Sequence, residues 1–296
     1  MIAITGAAQL VLGGAGDPEA ACDSTPWLRE RKSRKYMGLQ DELAVVAAGR
    51  ALSAAGLCAP LGSAVGLYMA VGYIPFERRD AQPVLMGSID GAQRFSMERF
   101  ASDGYLRAHP LVTFRCLPNM PAYHVSANFG IEGPYVIAYP GPGQMYLSMQ
   151  QACAALEDRA IEVALCGGVA HQRNFLVEHH YARLLPEVTA ERLRDAAGFV
   201  VLELAEHARA RGARLLAALD ALDVDYRAFD PRSELPVANE RWEGVPELDA
   251  GAELGPASLP IAISRCLDVA APSGWQAAHV QLTRDGYSCH GRWSAP

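Results

Sequence analysis

Residues 133–156 are laid out like a reaction centre. An apolar run, Tyr135 to Ala138, enters the tight turn Pro140-Gly141-Pro142-Gly143. A helix is expected next, with Met145, Met149, Ala152 and Leu156 on one face. At such a junction the free N–H groups and the positive end of the helix dipole stabilise a thiolate or an oxyanion. A nucleophile placed there attacks carbonyl carbon. Here the turn itself carries none, since proline and glycine side chains cannot react. Ser148 lies two helical turns further on and Cys153 three, where packing is the better reading. Cys166, before Gly167-Gly168, reads as a reduced core thiol. His171, His179 and His180 have no carboxylate or cysteine at ligand spacing, so they read as structural, and no metal site is expected. Gln144 falls on the first helical turn. It either points an amide into the pocket or is a plain polar helix-start residue.

Alternating elements must position this turn. A strand is expected at Ile2–Thr5, a helix at 41–55, a strand at Ala64–Val71 and a helix at 119–129. Then come strand 134–139, helix 142–158, strand 161–166, and strands near 199–203 and 215–222. Residues 75–94 and 228–258 read as loop, and Ser96 starts a short helix. His279 to Trp293 reads as a closing hairpin around Asp285-Gly286. The alternation implies an α/β fold with a largely parallel, covered sheet.

Five segments in order resemble the β-ketoacyl synthases of fatty acid and polyketide synthesis. They are Arg34 to Leu57, Pro118-Asn119-Met120-Pro121-Ala122 through Gly133-Pro134, the turn with its helix, Ile161 to Gly168, and Gly198 to Ala213 with its Leu202-Glu203 and Arg211-Gly212-Ala213. The likeness covers roughly residues 1–225. It implies a thiolase-like layered αβαβα fold with a shortened C-terminal half, divided as 1–205 and 206–296 within one globular unit. Counting without gaps from Gly133-Pro134, the family's catalytic cysteine falls on Pro142, flanked by Tyr139, Gly141, Gly143 and Gln144. The family's first catalytic histidine falls on Ala271 or Pro272. His290-Gly291 is similar to the second motif only superficially, since it lies in an expected strand. Decarboxylative condensation needs the cysteine and both histidines, so the resemblance implies a chain without that chemistry.

The resemblance is nearest to chain length factors, the inactive partners of type II polyketide synthases, which often carry glutamine in place of the cysteine. It implies a heterodimer with an active ketosynthase, with Met120, Tyr123, Val136, Ile137 and Met145 at the interface or tunnel. It also implies an acyl carrier protein as partner, for which the basic run Arg31, Lys32, Arg34 and Lys35 is the candidate docking patch, the alternative being a solvated loop. No cofactor is expected. A stand-alone thiolase-fold acyltransferase using a non-cysteine group is the other class.

Composition sets the outer limits. The chain has 296 residues, half of them hydrophobic and a fifth charged, enough for a sizeable core. A net charge of −7 argues against general nucleic-acid binding. No apolar run approaches the ~18–20 residues of a membrane span. Met1 to Thr5 has no basic lead, and the seven cysteines show no CxxC pair, which suits reduced thiols in the cytoplasm.

Overall fold

Val65–Val71 is buried at every position, the pattern of a strand covered on both faces. Its side chains divide by parity. Val65, Leu67, Met69 and Val71 enter one apolar core, and Tyr68 and Ala70 enter another. Val163, Leu165 and Val169 divide from Ala164 and Cys166 in the same way. These two cores are the spaces between layers.

The computed structural model describes residues 1–12, 22–184, 188–228, 239–244, 252–268, 274–283 and 286–296. The strands are β1 (Ile2–Leu12), β2 (Val65–Val71), β3 (Tyr135–Ala138), β4 (Val163–Ala170), β5 (Asp195–Leu204), β6 (Ala217–Tyr226), β7 (Asn239–Glu243), β8 (Gln276–Leu282) and β9 (Tyr287–Ser294). The principal helices are α1 (Leu39–Ala54), α2 (Arg78–Gly87), α3 (Met120–Phe129), α4 (Pro142–Glu157), α5 (Phe175–Leu184), α6 (Ala205–Ala210) and α7 (Ser258–Asp268). The nine strands form one sheet in the order β3-β2-β4-β5-β1-β6-β9-β8-β7.

The sheet is mixed, not largely parallel as the alternation suggested. Only the β3-β2-β4 ladders are parallel. β5 runs antiparallel to both β4 and β1, and β9 runs antiparallel to both β6 and β8. Alternating strands and helices therefore did not fix direction, because β4 returns to β5 after a helix without making a parallel crossover.

α1 and α3 cover one face of β1–β5, and α4 and α7 cover the other. α4 also packs on β6 and β9, so this inner layer is shared between the two parts of the sheet. β1 passes from one core to the other through a bulge between Ile4 and Gly6. Ile2 and Ile4 face the α4 side, whereas Leu10 and Leu12 face the α1 side. One extra residue reverses the parity of everything beyond it.

The two faces of β9 differ. Cys289, Gly291 and Trp293 of β9 are buried, while Ser288, His290 and Arg292 point the other way. Among the described residues, α4 and α7 are the helices packed extensively on β6, β8 or β9, both on the inner side. The outer face is polar instead, with Ser294 Oγ donating to Asp220 Oδ1 at 3.1 Å and His290 Nδ1 lying 3.9 Å from Asp223.

Two loop expectations are corrected. Residues 75–94 contain α2, which holds Pro83 inside it, past the first turn. Residues 228–258 contain β7, whose Asn-Glu-Arg-Trp-Glu sequence carries no apolar alternation but pairs with β8. The expected hairpin is formed by β8 and β9, with Asp285 outside the described residues.

Gly167 and Gly168 lie within β4, not after it. A Cβ on Gly167 would strike the ring of Phe199, its cross-strand neighbour on β5, and one on Gly168 the Pro256 carbonyl, so the pair admits a large ring on one face and close backbone on the other. The Glu203–Ala213 segment is locked by one carboxylate. Buried Glu203 accepts from Thr5 Oγ1 (2.5 Å), from Arg211 Nη2 (2.5 Å) and Nε (2.8 Å), and lies 2.8 Å from His207 Nδ1. Arg211 Nη1 also donates to the Ala55 carbonyl at the end of α1 (3.0 Å).

Candidate functional site

The carboxyl ends of parallel strands are where open α/β sheets bind ligands. Here β2 ends toward Tyr73, β3 toward Tyr139 and β4 toward His171. The turn after β3 starts α4 as expected. Gly141 is the extended N-cap residue, with no side-chain cap, and Pro142 is the first helical residue. Proline suits that position because its fixed φ fits the helix and its missing N–H had no partner to lose.

The helix start is covered by the second half. The Tyr287 ring, at the head of β9, packs where a Cβ on Gly143 would stand, about 2.7 Å from ring carbon Cγ. Gln144 Nε2 donates to Tyr287 Oη at 3.1 Å. Tyr226 lies beside the same ring, with centroids 5.0 Å apart. The Gln144 amide is thus taken up by Tyr287 on the first turn of α4.

No thiol takes the nucleophile's place at the turn. Cys153 is half-buried within α4, and burial pushes its thiol up to about 12. Cys166 is fully buried in β4 and is likewise held well above the ordinary thiol value by desolvation. Ser148 Oγ donates to the Met69 carbonyl (3.2 Å), a packing role. His290 lies on the outer face of the second half, across the sheet from α4. Ala271 and Pro272 fall outside the described residues.

Two polar networks border this region. In the first, Tyr146 Oη, four residues into α4, is 2.6 Å from His279 Nδ1 and 2.9 Å from the His279 carbonyl. His279 Nε2 is 2.7 Å from Glu240 Oε1, which also accepts from Trp242 Nε1 at 2.7 Å. Tyr146 and His279 are fully buried, and desolvation keeps the phenol protonated. The chain of contacts ties α4 to β8 and β7. Sequence reasoning missed it; the available signal was that His279 shares inward parity with Ala277 and Gln281.

In the second, Tyr73 Oη is 2.7 Å from His180 Nε2, and the Tyr73 ring meets Tyr139 edge-on at 6.1 Å. Burial, then the Arg183 charge, lowers the His180 pKa. His171 Nδ1 is 2.9 Å from Asp195 Oδ1, and the His171 backbone N–H donates to Gln40 Oε1 at 2.9 Å. His171 and His180 make these packing contacts, and His179 is exposed. Glu253 sits nearby, its carboxyl pushed up to about 7 by burial and then by the Glu240 charge. Among the described residues no cluster of histidine, cysteine and acid could hold a metal ion.

β3 is the edge of the sheet, paired through Tyr135↔Leu67 to Ala138↔Ala70 on one side only. Tyr135, which sequence reasoning did not single out, is 70 % exposed. Val136 and Ile137 are half-buried on opposite faces of the strand. Tyr123 is exposed and Met120 buried. Met145 is fully buried in the α4 core and reaches no surface.

Arg31, Lys32, Arg34 and Lys35 form one 3-10 turn, Arg31–Tyr36, just before α1. Arg34 is paired with Glu42 (3.0 Å) and lies 3.8 Å from Asp23. Among the described residues Arg31, Lys32 and Lys35 have no ion pair, and Lys35 lies over the Tyr36 ring at 4.7 Å. The Gln40–His171 bond places the start of α1 at the carboxyl end of β4. The basic turn therefore lies toward the same end of the sheet as the α4 N-terminus.

A layered α/β fold with a helix N-terminus at the end of β3 defines a thiolase-like architecture. A sequence profile described as "Beta-ketoacyl synthase, N-terminal domain" matches residues 3–201, and the chain belongs to that family. It is 26% identical over 211 residues to Nodulation protein E of Rhizobium meliloti (strain 1021), covering 68% of this chain and 50% of that protein. The chain thus spans half the length of this curated relative. Among solved structures, it resembles a chain of a type II PKS acyl-carrier protein in complex with its ketosynthase bound to the hexaketide (TM-score 0.73, 15% identity, covering 100% of this chain and 99% of that one). It also resembles the ishigamide ketosynthase/chain length factor (TM-score 0.58, 20% identity, 76% and 63% covered). A third is the ketosynthase from module 6 of the bacillaene synthase of Bacillus subtilis 168 (TM-score 0.64, 10% identity, 100% and 72% covered). These likenesses establish the fold.

Proposed function

We propose that this chain is a non-catalytic, chain length factor-type subunit. It pairs with an active ketosynthase in the cytoplasm and shapes that partner's acyl tunnel during polyketide or fatty-acid-like elongation. The observation that carries the reading is the covered start of α4, where Pro142 stands at the first helical position and Tyr287 packs on Gly143. A thioester needs a free nucleophile and open space there, and this arrangement offers neither. The buried, protonated state of Cys153 and Cys166 supports the same reading. So does the far-face position of His290. On this reading residues 1–205 and 206–296 are a ketosynthase-like half and its abbreviated counterpart in one globular unit.

Two surfaces have uses in such a complex. The open edge of β3, with Tyr135, Val136 and Ile137, pairs with the matching strand of the active subunit. An obligate interface of this kind buries roughly 2,000 Å² or more. The basic turn, with Arg31, Lys32 and Lys35 unpaired among the described residues, receives an acidic carrier protein. The mutual coverage with a chain from a type II complex, 100% and 99%, supports a place in such an assembly.

Co-expression with a ketosynthase that retains its cysteine and both histidines, followed by sizing and an elongation assay, tests the proposal. A 1:1 complex is expected, with elongation dependent on this chain. Val136→Lys and the surface substitution Tyr135→Lys are each expected to dissociate it, the second without cost to the fold. Normal elongation by the partner alone, intact complexes in both variants, or covalent acylation of this chain between Tyr139 and Gln144 refutes the reading.

A further inference from the structure

A second concavity lies at the opposite end of the sheet from the α4 N-terminus. The Phe129 and Gly130 carbonyls accept from Leu61 and Gly62 (3.0 and 2.7 Å), fastening the end of α3 to the loop that enters β2. The groove is built on this amino end of β2, whereas the α4 turn follows the carboxyl end of β3. The seven residues of β2 set the two sites about 20 Å apart at the rise of a strand. The groove encloses about 620 Å³, within the range of small-molecule sites.

Its lining is apolar, with Trp27, Leu52, Leu57, Pro60 and Phe129 around the cleft. Trp27 lies directly on α1, because Gly49 has no Cβ to hold it off, and its ring meets Phe129 at 6.5 Å. Arg29 is the one charged residue of the lining. Its backbone N–H is tied to Asn128 Oδ1 at 2.9 Å, which fixes its place on the rim. Among the described residues its guanidinium has no carboxylate partner, although the chain as a whole carries net charge −7. Apolar walls with a single uncompensated cation match an amphipathic monoanion.

We infer that this groove is a binding site for an apolar carboxylate, the carboxylate seated on Arg29 and the hydrocarbon body between Trp27, Leu57 and Phe129. The inference is independent of the proposed subunit role, since it uses neither the β3 edge nor the α4 turn.

Cys58 lines the groove and is exposed, whereas the other six cysteines are buried or half-buried, so its alkylation reports occupancy directly. The probe is decanoate, with decanol as the uncharged control, and the readout is the rate of N-ethylmaleimide modification of Cys58 in the purified full chain. Decanoate is expected to protect Cys58 saturably. Arg29→Ala is expected to weaken protection about tenfold, in keeping with loss of a charge-assisted contact. Decanol is expected to protect no better in the parent than in that variant. Ser53→Trp, an exposed change on α1 that fills the groove, is expected to abolish protection. No protection of the parent by millimolar decanoate overturns the inference. Equal protection of parent and Arg29→Ala overturns it as well.

Discussion

Tyr146→Phe removes a single oxygen from a polar network whose Tyr146 and His279 are fully buried. The ring stays, stacked on His279 at 5.9 Å with planes 12° apart, so packing is conserved. What is lost is the 2.6 Å contact with His279 Nδ1, in a place where both residues are fully buried and no water replaces the partner. A buried polar group deprived of its partner costs about 1–3 kcal/mol. His279 is held from its other side by Glu240, so the loss cannot be relieved by turning the imidazole. The expected destabilisation at pH 7 is therefore about 2 kcal/mol, read as a lower urea midpoint with unchanged slope. Glu240→Gln alone, and with Tyr146→Phe, completes a double-mutant cycle. The two changes act on one imidazole, so a coupling of at least about 0.5 kcal/mol is expected. A Tyr146→Phe protein within about 0.5 kcal/mol of the parent, or strictly additive effects, refutes the view that this relay holds α4 to β7 and β8.

Glu253, raised to about 7 by burial, favours its protonated form in the folded chain, so its contribution to stability is present below the unfolded carboxyl pKa and is lost as pH rises through 7. Glu253→Gln should remove that loss in urea melts taken from about pH 2 to 8, a range that spans the unfolded and folded values. Glu203 has the opposite sign: burial opposes its charge, but bonds from Arg211, Thr5 and His207 prevail and lower its pKa. Its stabilisation is present above the unfolded carboxyl pKa and fades as pH falls through the folded value, so Glu203→Gln should flatten the acid limb of the same titration. Gly168→Ala should cost about 1–3 kcal/mol in denaturant melts, because its methyl group overlaps the Pro256 carbonyl.

Several parts of this fold are legible in the residues. β2 is a continuous apolar run and could be nothing shorter than a covered strand. Glu203 and Arg211 are close enough in sequence for one short segment to supply both the buried acid and its cation. The α4 start at Pro142 follows from proline chemistry alone. Other parts depend on partners that local reading cannot see. Tyr146 and His279 are 133 residues apart, and neither has a sequence neighbour that announces the other. β7 is a polar edge strand that becomes recognisable only beside β8. The cover over Gly143 comes from Tyr287, at the other end of the chain's order, so the turn's closure is invisible in residues 133–156. Strand direction also escaped, since an intervening helix permits either sense.

The placement of β1 between β5 and β6 has a kinetic consequence. Ile2 pairs with Leu204 on one side and Leu219 on the other, so the strand must wait about 200 residues for either neighbour. During synthesis at roughly 5–20 residues per second this leaves β1, with its apolar Ile2, Ile4, Leu10 and Leu12, exposed for on the order of ten seconds or more. The two parts of the sheet cannot be joined until β6 has emerged from the ribosome. Assembly of the fold is thus a late event, and an unpaired central strand is the species a chaperone would meet.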